Sequence, residues 1–416
     1  MASDALIVGG GIGGLTLALA LHRAGVACRV FEAVPEIAPL GVGINLLPNA
    51  MRELTLLGLG DALAAGAVET RESVFFNRFG QLIYREGAGR FGGYEYPQLS
   101  IHRGDLHLAL LATVRERLGA DAVSEGMRCE HIDQDDDGVT LRLRDTVSGA
   151  NAPDVHGSFA VGCDGIRSAV RAQFYPDEGP PVYSGVNMWR GVTRWPSFLS
   201  GASMIRAGWL TTGKMVIYPI RDNIDDAGRQ LVNWVAEIET PRLVERDWNR
   251  AGALDDFIGA FADWHFDWLD VPAFIRAADQ ILEFPMVDLE PLPRWTFGRI
   301  TLLGDAAHPM YPRGSNGSAQ AIIDAVALGE ELAGATEPRA ALQAYEERRR
   351  EATATIVRRN RTNPPDALLR EVYERTGDRP FEDISEIISA DEIAALVDGY
   401  RRVVGIAPAS AAPGSA

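Results

Sequence analysis

The N-terminal segment alternates apolar runs with a glycine-rich turn. An apolar run at 5–8 meets a turn at 9–14 in which every residue but one is glycine, and residues 15–24 then have helix-forming composition. A second apolar run at 27–31 ends at Glu32. This order predicts a strand, a tight turn, a helix and a second strand.

The same periodicities predict the remaining elements. Apolar residues at helical spacing predict helices at 105–118, 318–332 and, after a Pro-Pro break, 366–404. Alternating or clustered β-branched and aromatic residues predict strands at 139–143, 159–163, 186–192, 216–220, 231–238 and 299–303. The last helical stretch is expected to be peripheral, and the low-complexity residues 407–416 are expected to be disordered.

A chain of 416 residues exceeds one simple core, because single cores stop growing at roughly 250–300 residues. The elements predict an α/β fold in which a Rossmann-like three-layer domain is interleaved with a smaller domain built on an antiparallel sheet, followed by C-terminal helices. The expected division assigns 1–70, 98–180 and 285–362 to the first domain, 71–97 and 181–284 to the second, 363–405 to the helices and 406–416 to a tail.

Seven of the eight tryptophans lie between Trp189 and Trp268, within the predicted second domain. This concentration favours a sheet that faces a large flat molecule. The alternative is that most of these rings fill the core between the sheet and its helices, since tryptophan buries a large apolar area.

Charge and cysteine usage narrow the class of protein. A formal charge of −17 argues against a nucleic-acid surface, which needs a basic patch, and no apolar run reaches the roughly 18 residues of a membrane span. Cys28, Cys129 and Cys163 are widely spaced and the seven histidines lack metal-ligand spacing, so neither disulfides nor a metal site is expected. With Asp4 where a signal peptide carries positive charge, we expect a cytoplasmic protein with no membrane or nucleic-acid partner.

Gly9, Gly11 and Gly14 satisfy the G-x-G-x-x-G pattern directly after a strand and at a helix start. The first glycine permits the turn, the second lets a pyrophosphate approach the backbone, and the third lets helix and strand pack closely. Glu32 follows 18 residues beyond Gly14, at the end of the second strand, where an acid accepts hydrogen bonds from ribose hydroxyls. The combination predicts binding of a dinucleotide whose adenosine ribose carries no 2′-phosphate.

Two aspartates mark the ends of later strands. Asp164 lies in the segment 163–171 before a helical stretch, and Asp305 lies in the segment 303–309. Each signal is weak alone, because Asp-Gly and Gly-Asp pairs are common in turns. Together with the glycine turn, and in this order, they make the chain resemble the FAD-dependent monooxygenases of the aromatic hydroxylase type (class A).

Further segments resemble the phenazine-tailoring branch of that family, enzymes of the 5-methylphenazine-1-carboxylate hydroxylase kind. They are 39–45, 101–105, 188–192, 218–219, 231–235 and 299–319. The stretch 314–317 is Gly-Ser-Asn-Gly, as in that branch, whereas many other hydroxylases of the class have Gly-Gln-Gly there.

The resemblance implies an FAD site. By similarity, Asp305 binds the ribitol, Arg103 contacts the diphosphate, and Val42 and Gly43 lie beside the isoalloxazine ring. The positive end of the helix after 314–317 would stabilise negative charge on the reduced flavin. The residues expected to bind FAD are Gly9, Gly11, Gly13, Gly14, Glu32, Ala33, Val42, Gly43, Arg103, Met127, Asp164, Asp305 and Gly317.

The resemblance also implies the reaction. Such an enzyme reduces FAD with NADH or NADPH and then uses O₂ to hydroxylate an electron-rich aromatic or heteroaromatic ring through a C4a-hydroperoxyflavin, with or without loss of a carboxylate as CO₂. Because the cofactor carries this chemistry, no catalytic side chain is expected. The protein is expected to act as a monomer or homodimer.

The substrate pocket is expected between the flavin and the sheet of the second domain. Successive side chains on a strand point to opposite faces, so Trp189 and Arg190 cannot both face the ring. If the substrate has a carboxylate, it is expected to pair with Arg190, Arg206 or Lys214, the only lysine of the chain. The alternative for each of the three is a solvated charge or a charge at the edge of the sheet. The residues expected to bind substrate are Arg190, Tyr218, Tyr311 and Pro312.

Three alternatives share the nucleotide fold. A flavin halogenase needs a Trp-x-Trp-x-Ile-Pro element, which the nearest stretch, 264–268, does not match, and a lysine near the oxidant. An oxygen-independent FAD oxidase or dehydrogenase would leave no O₂-derived oxygen in its product. A non-catalytic FAD-binding protein would show no substrate-stimulated oxidation of NAD(P)H.

Overall fold

The structure is a computed structural model that describes residues 4–39, 41–240 and 251–406. Its strands are β1 Asp4–Val8, β2 Ala27–Phe31, β3 Gly43–Leu46, β4 Val68–Glu69, β5 Glu72–Phe76, β6 Leu82–Gly87, β7 Leu99–His102, β8 Val123–Ser124, β9 Met127–Gln134, β10 Val139–Asp145, β11 Val155–Gly157, β12 Phe159–Gly162, β13 Val182–Trp195, β14 Ser203–Trp209, β15 Gly213–Arg221, β16 Gln230–Glu239, β17 His265–Phe266, β18 Leu269–Asp270, β19 Ala278–Asp288 and β20 Ile300–Leu302.

The α-helices of the described residues lie on both sides of the strands and at the C-terminal end. They are α1 Ile12–Arg23, α2 Pro48–Leu56, α3 Gly60–Ala65, α4 Arg103–Leu118, α5 Ala169–Phe174, α6 Val271–Arg276, α7 Asn316–Leu332, α8 Pro338–Thr362, α9 Ala367–Thr376 and α10 Ala390–Val403.

A five-stranded parallel sheet, in the order β20-β12-β1-β2-β8, forms the first core. Its central strand β1 is almost wholly buried, as expected for a strand covered on both faces. The carboxyl ends of four of its strands carry the predicted nucleotide residues. Because those ends meet at one edge of a parallel sheet, the fold brings together motifs that are far apart in the chain: Gly9, Glu32, Asp164 and Asp305.

A seven-stranded sheet, in the order β19-β13-β16-β15-β14-β5-β6, forms the second core. It is antiparallel except where β5 pairs with β14 in parallel, since β5 enters from an earlier part of the chain. Its outer face packs with α6 and carries the buried Trp189 and Trp234, and Trp264, from the segment before β17, is buried in the same cluster. These rings therefore fill the core between the sheet and its helices, which was the alternative interpretation of the tryptophan-rich region. Trp248 lies outside the described residues.

The opposite, inner face of this sheet carries the side chains that alternate with those tryptophans. The strand registers place Phe75, Arg206, Val216, Val235 and Arg190 in one row across five strands. Arg190 thus lies on the inner face and its neighbour Trp189 on the outer face. A three-stranded sheet, β3-β7-β4, packs against the inner face through β3.

These sheets and helices confirm the α/β class, the second sheet and the C-terminal helices, although some element ends differ from prediction. Helix α1 begins at Ile12, inside the glycine turn, and α7 begins two residues earlier than predicted. The stretch 366–404 is interrupted, because Gly377 adopts a left-handed conformation that ends α9. This stretch is also not peripheral, since Asp366 and Tyr400 are buried. The predicted disorder of residues 407–416 concerns residues outside the described ranges.

Two features are absent from the described residues. No helix within 4–39, 41–240 and 251–406 is long and apolar enough to cross a membrane. In the same ranges no group of three or more histidine, cysteine, aspartate or glutamate residues is arranged to hold a metal ion.

Candidate functional site

The glycine turn contains close approaches that a larger residue would not allow. Gly9 has φ +106°, and a Cβ there would lie 2.4 Å from the carbonyl oxygen of Cys163. A Cβ at Gly14 would lie 2.0 Å from the carbonyl oxygen of Gly9. At Gly11, in contrast, a Cβ would meet nothing within 4 Å in the described structure. The space beside Gly11, at the N-terminus of α1, is therefore open to an anion.

Glu32 is held in place at the end of β2. Its Oε2 accepts a hydrogen bond from the amide of Gly10 at 2.7 Å, and its Oε1 accepts one from the amide of Val34 at 2.8 Å. The amide of Met127 donates to the backbone carbonyl of Glu32 at 2.7 Å, and Ala33 follows directly along the chain. Since a carboxylate has about four acceptor positions, Glu32 retains capacity for ribose hydroxyls.

Asp164 serves the local structure. Its carboxylate accepts hydrogen bonds from the hydroxyl of Ser168 at 2.5 Å and from the amides of Ala169 at 2.7 Å and Val170 at 3.2 Å. Burial raises the pKa of Asp164 above its ordinary value, although these hydrogen bonds oppose the shift. The aspartate thereby caps α5, and a Cβ on Gly9 would meet its backbone, so Asp164 also supports the glycine turn.

Asp305 and Arg103 come together at the same edge. Asp305 keeps access to solvent. Desolvation by the surrounding protein raises its pKa, and the positive charge of Arg103 opposes the rise. Burial lowers the pKa of the Arg103 guanidinium. The positive charge of Arg190 lowers this pKa further, and the negative charge of Asp305 opposes the shift. Arg103 also donates its amide to the carbonyl of Val42 at 3.0 Å, and a Cβ at Gly317 would lie 3.8 Å from Asp305 Oδ1.

The turn that carries Asp305 is supported from beneath by a buried polar group. Asp324 Oδ2 lies 2.5 Å from Nε2 of His308, and its Oδ1 accepts from Nε of Arg349 at 2.7 Å. Gly13 completes the contact from α1, since a Cβ there would lie 3.1 Å from Leu303 Cδ2. The glycine turn, the Asp305 turn and α7 therefore form one packed unit.

Gly43 is held by three side chains of the inner face. Its amide donates to Asn233 Oδ1 at 2.7 Å. Its carbonyl accepts from Nη2 of Arg190 at 2.9 Å and from the hydroxyl of Tyr218 at 2.9 Å. A Cβ at Gly43 would lie 2.6 Å from Asn233 Cβ, so no other residue fits. Arg190 and Tyr218, both expected to bind substrate, thus fasten the segment expected to lie beside the flavin.

A cleft lies between the inner face and the C-terminal helices, where the space not filled by protein atoms, open solvent included, is about 780 Å³. None of the four residues expected to bind substrate is among its described lining residues. Its lining is mainly apolar and aromatic, with a few charged side chains: Leu47, Pro48, Ser73, Phe75, Glu86, Gly87, Ala88, Gly89, Tyr94, Gln98, Met204, Arg206, Gly314, Ser315, Pro365, Val397, Tyr400, Arg401, Val404 and Ile406. Such a composition is typical of small-molecule sites.

Of the three cations weighed for a substrate carboxylate, Arg206 alone lines this cleft. Its Nη1 donates to Ser73 Oγ at 2.7 Å and its Nε lies 3.1 Å from Asp366 Oδ1. The guanidinium also lies over the ring of Phe75, with Cζ 5.2 Å from the ring centroid. Within the described residues, Nη2 itself makes no hydrogen bond. Lys214 is buried beneath, where its Nζ lies 3.0 Å from Glu237 Oε2 and 2.5 Å from Asp366 Oδ2.

Tyr311 is buried against the inner face, and its neighbour Pro312 is exposed. Tyr311 packs in an apolar cluster with Met188, Val235 and Met286. Burial raises the pKa of Tyr311 to about 12, so its hydroxyl stays protonated at neutral pH. Both residues lead into the turn at 314–317.

The turn at 314–317 is fastened to the C-terminal helix α10. Ser315 has φ +58°, a left-handed conformation that is costly for a residue with a side chain. The hydroxyl of Tyr400 accepts from Nδ2 of Asn316 at 2.5 Å and donates to Oδ1 of Asn360 at 2.9 Å. A Cβ at Gly314 would collide with that hydroxyl, so the glycine provides the room for Tyr400.

Comparison with known proteins agrees with this geometry. A family model described as an FAD binding domain matches residues 2–188 and 287–360. The chain belongs to this FAD-binding family. Its match spans the parallel sheet and the Asp305 turn.

Relatives with known activities cover nearly the whole chain. A phenazine 1,6-dicarboxylic acid hydroxylase, PhzS, of Lysobacter antibioticus is 42% identical, over 97% of this chain and 97% of its own. A 3-amino-4-hydroxybenzoate 2-monooxygenase, PtnB3, of Streptomyces platensis is 36% identical, over 85% of this chain and 86% of its own. A salicylate hydroxylase crystallised with substrate has the same fold, with 22% identity, a TM-score of 0.71 and 99% coverage of both chains.

These relatives confirm the resemblance drawn from the motifs. This member of the FAD-binding family is a flavoprotein monooxygenase of the aromatic hydroxylase type, with FAD as its cofactor and NAD(P)H as the usual co-substrate. The residues present fit FAD, because the open space at Gly11 suits a diphosphate and the carboxylates of Glu32 and Asp305 suit a ribose and a polyol.

Sequence reasoning missed three residues of this region. Asn233 holds Gly43, Asp366 joins Lys214 and Arg206, and Tyr400 holds Asn316. Each lies at least 80 residues along the chain from one of its partners. No motif marks Asp366 or Tyr400. Asn233 lies in the segment 231–235 that resembles the family, but neither this resemblance nor the alternating strand pattern indicates its bond to Gly43.

Proposed function

We propose that the protein hydroxylates a fused heteroaromatic carboxylic acid of the phenazine class, and that Arg206 binds the carboxylate of this substrate. The observation that carries the proposal is the position of Arg206 in an otherwise mainly apolar cleft, with Nη2 unpaired within the described residues. Nη2 of the Arg206 guanidinium can donate a charge-assisted hydrogen bond to a substrate carboxylate, and desolvation strengthens such a bond.

The similarity to a phenazine 1,6-dicarboxylic acid hydroxylase supports the ring class, since 42% identity extends over 97% of both chains. The lining of the cleft supports it as well. Phe75, Met204 and Val397 offer apolar surface to a flat ring system, and the turn at 314–317 borders the cleft.

We propose the following roles for the chain's own residues. Gly9, Gly11, Gly13, Gly14, Glu32, Ala33, Val42, Gly43, Arg103, Met127, Asp164, Asp305 and Gly317 would hold FAD, with Asp164 acting through the glycine turn. Bound FAD, reduced by NAD(P)H, supplies the activated oxygen. Arg206 orients the ring, the apolar lining excludes water, and Tyr311 and Pro312 lead into the turn. Arg190 and Tyr218 act on the flavin segment by holding Gly43.

The Arg206 assignment is tested by comparing an aromatic acid with its uncharged methyl ester. In Arg206→Gln, kcat/KM for the acid should fall roughly 10- to 100-fold, as expected for charge-assisted hydrogen bonds, while kcat/KM for the ester changes little. Arg401→Gln is the matched control, because Arg401 also lines the cleft and is ion-paired as Arg206 is, with Glu86 at 2.6 Å, but is assigned no contact with the carboxylate. Equal losses for acid and ester in Arg206→Gln would contradict the assignment.

The reaction class is tested with ¹⁸O₂. Phenazine-1-carboxylate and related acids should stimulate NAD(P)H oxidation and yield a product that carries one ¹⁸O atom, with CO₂ measured in the same reaction. A product without the label would instead favour an FAD oxidase or dehydrogenase. Absence of any stimulation by these acids would overturn the substrate proposal.

The domain boundaries, the choice between NADH and NADPH, the cytoplasmic location and assembly as a monomer or homodimer stay predictions. Absence of nucleic-acid and membrane partners also stays a prediction. Size-exclusion chromatography with light scattering would decide between monomer and dimer.

A further inference from the structure

One side of the substrate cleft is made by the C-terminal helix α10. Its lining residues Val397, Tyr400 and Arg401, together with Val404 at its C-cap, recur at intervals of three and four. Residues at this spacing lie on one face of a helix, so α10 presents a continuous surface to the cleft. We call these four residues the α10 wall.

The wall lies across from the inner face of the seven-stranded sheet. Ser73, Phe75, Met204 and Arg206 line the sheet side, and their registers place Met204 beside Ser73 and Arg206 beside Phe75. A ring system whose carboxylate is bound by Arg206 would therefore lie between these two surfaces. The separation of the surfaces limits the size of the ring system.

The wall is fastened to several other elements. Tyr400 bonds to Asn316 and Asn360, as described above. Arg401 Nη2 lies 2.6 Å from Glu86 Oε2 on β6, and the carbonyl of Val404 accepts from Nδ2 of Asn49 on α2 at 3.3 Å.

The start of α10 is stabilised as well, by a capping box between Ser389 and Glu392. Because the wall is fixed at both ends and at its centre, it presents a rigid surface to a ligand.

We propose that the α10 wall determines how many fused rings the substrate can have, with Val397 as the main specificity-determining residue. Val397 is half-buried and lines the cleft, whereas Tyr400 and Arg401 are committed to hydrogen bonds or ion pairs. This proposal rests on the proposed function, because it assigns to the α10 wall the part of the cleft that limits the size of the aromatic substrate. A cleft can reject a larger ring by overlap more strongly than it can reject a smaller ring.

The experiment enlarges the side chain of the wall. Val397→Trp is compared with Ala395→Trp, which introduces the same side chain at an exposed position of the same helix. Dissociation constants are measured through the flavin absorbance of the holoenzyme for three acids: benzoate, quinoline-2-carboxylate and phenazine-1-carboxylate. Val397→Trp should weaken phenazine-1-carboxylate binding at least tenfold and leave benzoate binding within about twofold of wild type. Ala395→Trp should leave all three dissociation constants unchanged.

The outcomes separate this proposal from the proposed function. If wild type binds phenazine-1-carboxylate but Val397→Trp leaves the ratio of the phenazine to the benzoate dissociation constant unchanged, the wall proposal alone is wrong. If wild type binds none of the acids, the proposed function fails and the wall proposal fails with it. Should Val397→Trp lose its FAD during purification, Val397→Phe is judged by the same ratio.

Discussion

The glycine turn and the substrate cleft differ in the sequence range of the contacts that build them. The turn is made by a strand, a helix and a second strand within residues 4–32, with Cys163 as its main distant neighbour. At the cleft, in contrast, Arg206 depends on Ser73 and Asp366. A local motif can therefore specify the nucleotide end, whereas the substrate end depends on how distant segments pack.

The largest expected effect comes from the glycine turn. Gly14→Ala should lower the free energy of unfolding by about 3 kcal/mol or more, because the new Cβ would lie 2.0 Å from a backbone oxygen. This is at or above the upper end of the roughly 1–3 kcal/mol that overpacking typically costs. Gly11→Ala is the matched control, since its Cβ meets open space. It should leave the stability of the FAD-free protein unchanged but weaken FAD binding, as measured by urea unfolding and FAD titration. Equal destabilisation by both would show that Gly11 is structural as well.

The next effect concerns the buried charges beside the cleft. Asp366→Asn should lower the free energy of unfolding by about 3 kcal/mol, the lower end of the range for breaking a buried ion pair. It leaves Arg206 without its carboxylate partner, whereas Lys214 keeps Glu237. Burial by itself would raise the pKa of Asp366, but the positive charges of Lys214 and Arg206 outweigh burial and hold this pKa below its ordinary value. Its stabilisation is therefore fully present above the unfolded-state pKa of about 3.9 and is lost as the pH falls through the lower folded-state pKa.

Denaturant unfolding of wild type and Asp366→Asn at several pH values measures this dependence. The stability gap should be constant between about pH 5 and pH 8 and should narrow below about pH 4. Asp154→Asn, in an exposed ion pair with Arg142, serves as the control and should change stability little. A gap that widens as the pH falls would contradict the assignment of the charges.

A smaller effect is expected where the C-terminal helix meets the turn at 314–317. Tyr400→Phe keeps the ring but removes the hydroxyl that bonds to Asn316 and Asn360. We expect a loss of about 1–3 kcal/mol in the free energy of unfolding, since buried partners are left unsatisfied, together with weaker FAD binding. Tyr373→Phe is the control, because its hydroxyl has no hydrogen bond within the described residues. Unchanged FAD affinity in Tyr400→Phe would show that the contact of α10 with the turn at 314–317 does not affect FAD binding.

The smallest effect is expected at Tyr218. Tyr218→Phe removes one of two donors to the carbonyl of Gly43, and Arg190 still donates to it. The free energy of unfolding should fall by only about 0.5–1.5 kcal/mol, and KM for the aromatic acid should stay close to that of wild type. A large rise in KM would instead show that the hydroxyl contacts substrate, in line with the expectation from sequence. Tyr218→Ala removes the ring as well and should weaken substrate binding.

Much of the fold followed from periodicity and turn residues. The strand, turn and helix at the N-terminus, the second sheet and the return to the parallel sheet at β20 were predictable, because each has a local apolar pattern. The interruption between α9 and α10 was not predicted, although Gly377 is the kind of residue that ends helices. The burial of Asp366 was also not predictable, since an aspartate before a helix is normally a solvated cap.

The candidate site divides in the same way. The sequence placed Gly9, Glu32 and Asp305 at strand ends, and the parallel sheet brings such ends together. Arg190 and Tyr218 were expected to contact substrate because they lie on predicted strands of the second domain's sheet, which was expected to face the flavin, but alternation says only that a residue faces one side or the other. Their hydrogen bonds to Gly43 depend on β3 packing against the inner face.

The sequence by itself determined the family, the cofactor and the elements that hold the nucleotide, because short-range spacing encodes a glycine turn and the acid that follows it. Only the tertiary structure decided that Arg206, and neither Arg190 nor Lys214, lines the cleft, and that α10 forms its far side. The physical reason is that burial, charge pairing and the face a strand presents depend on residues tens to hundreds of positions away. Composition records a single lysine, but only packing shows that its charge is neutralised by Glu237 and Asp366.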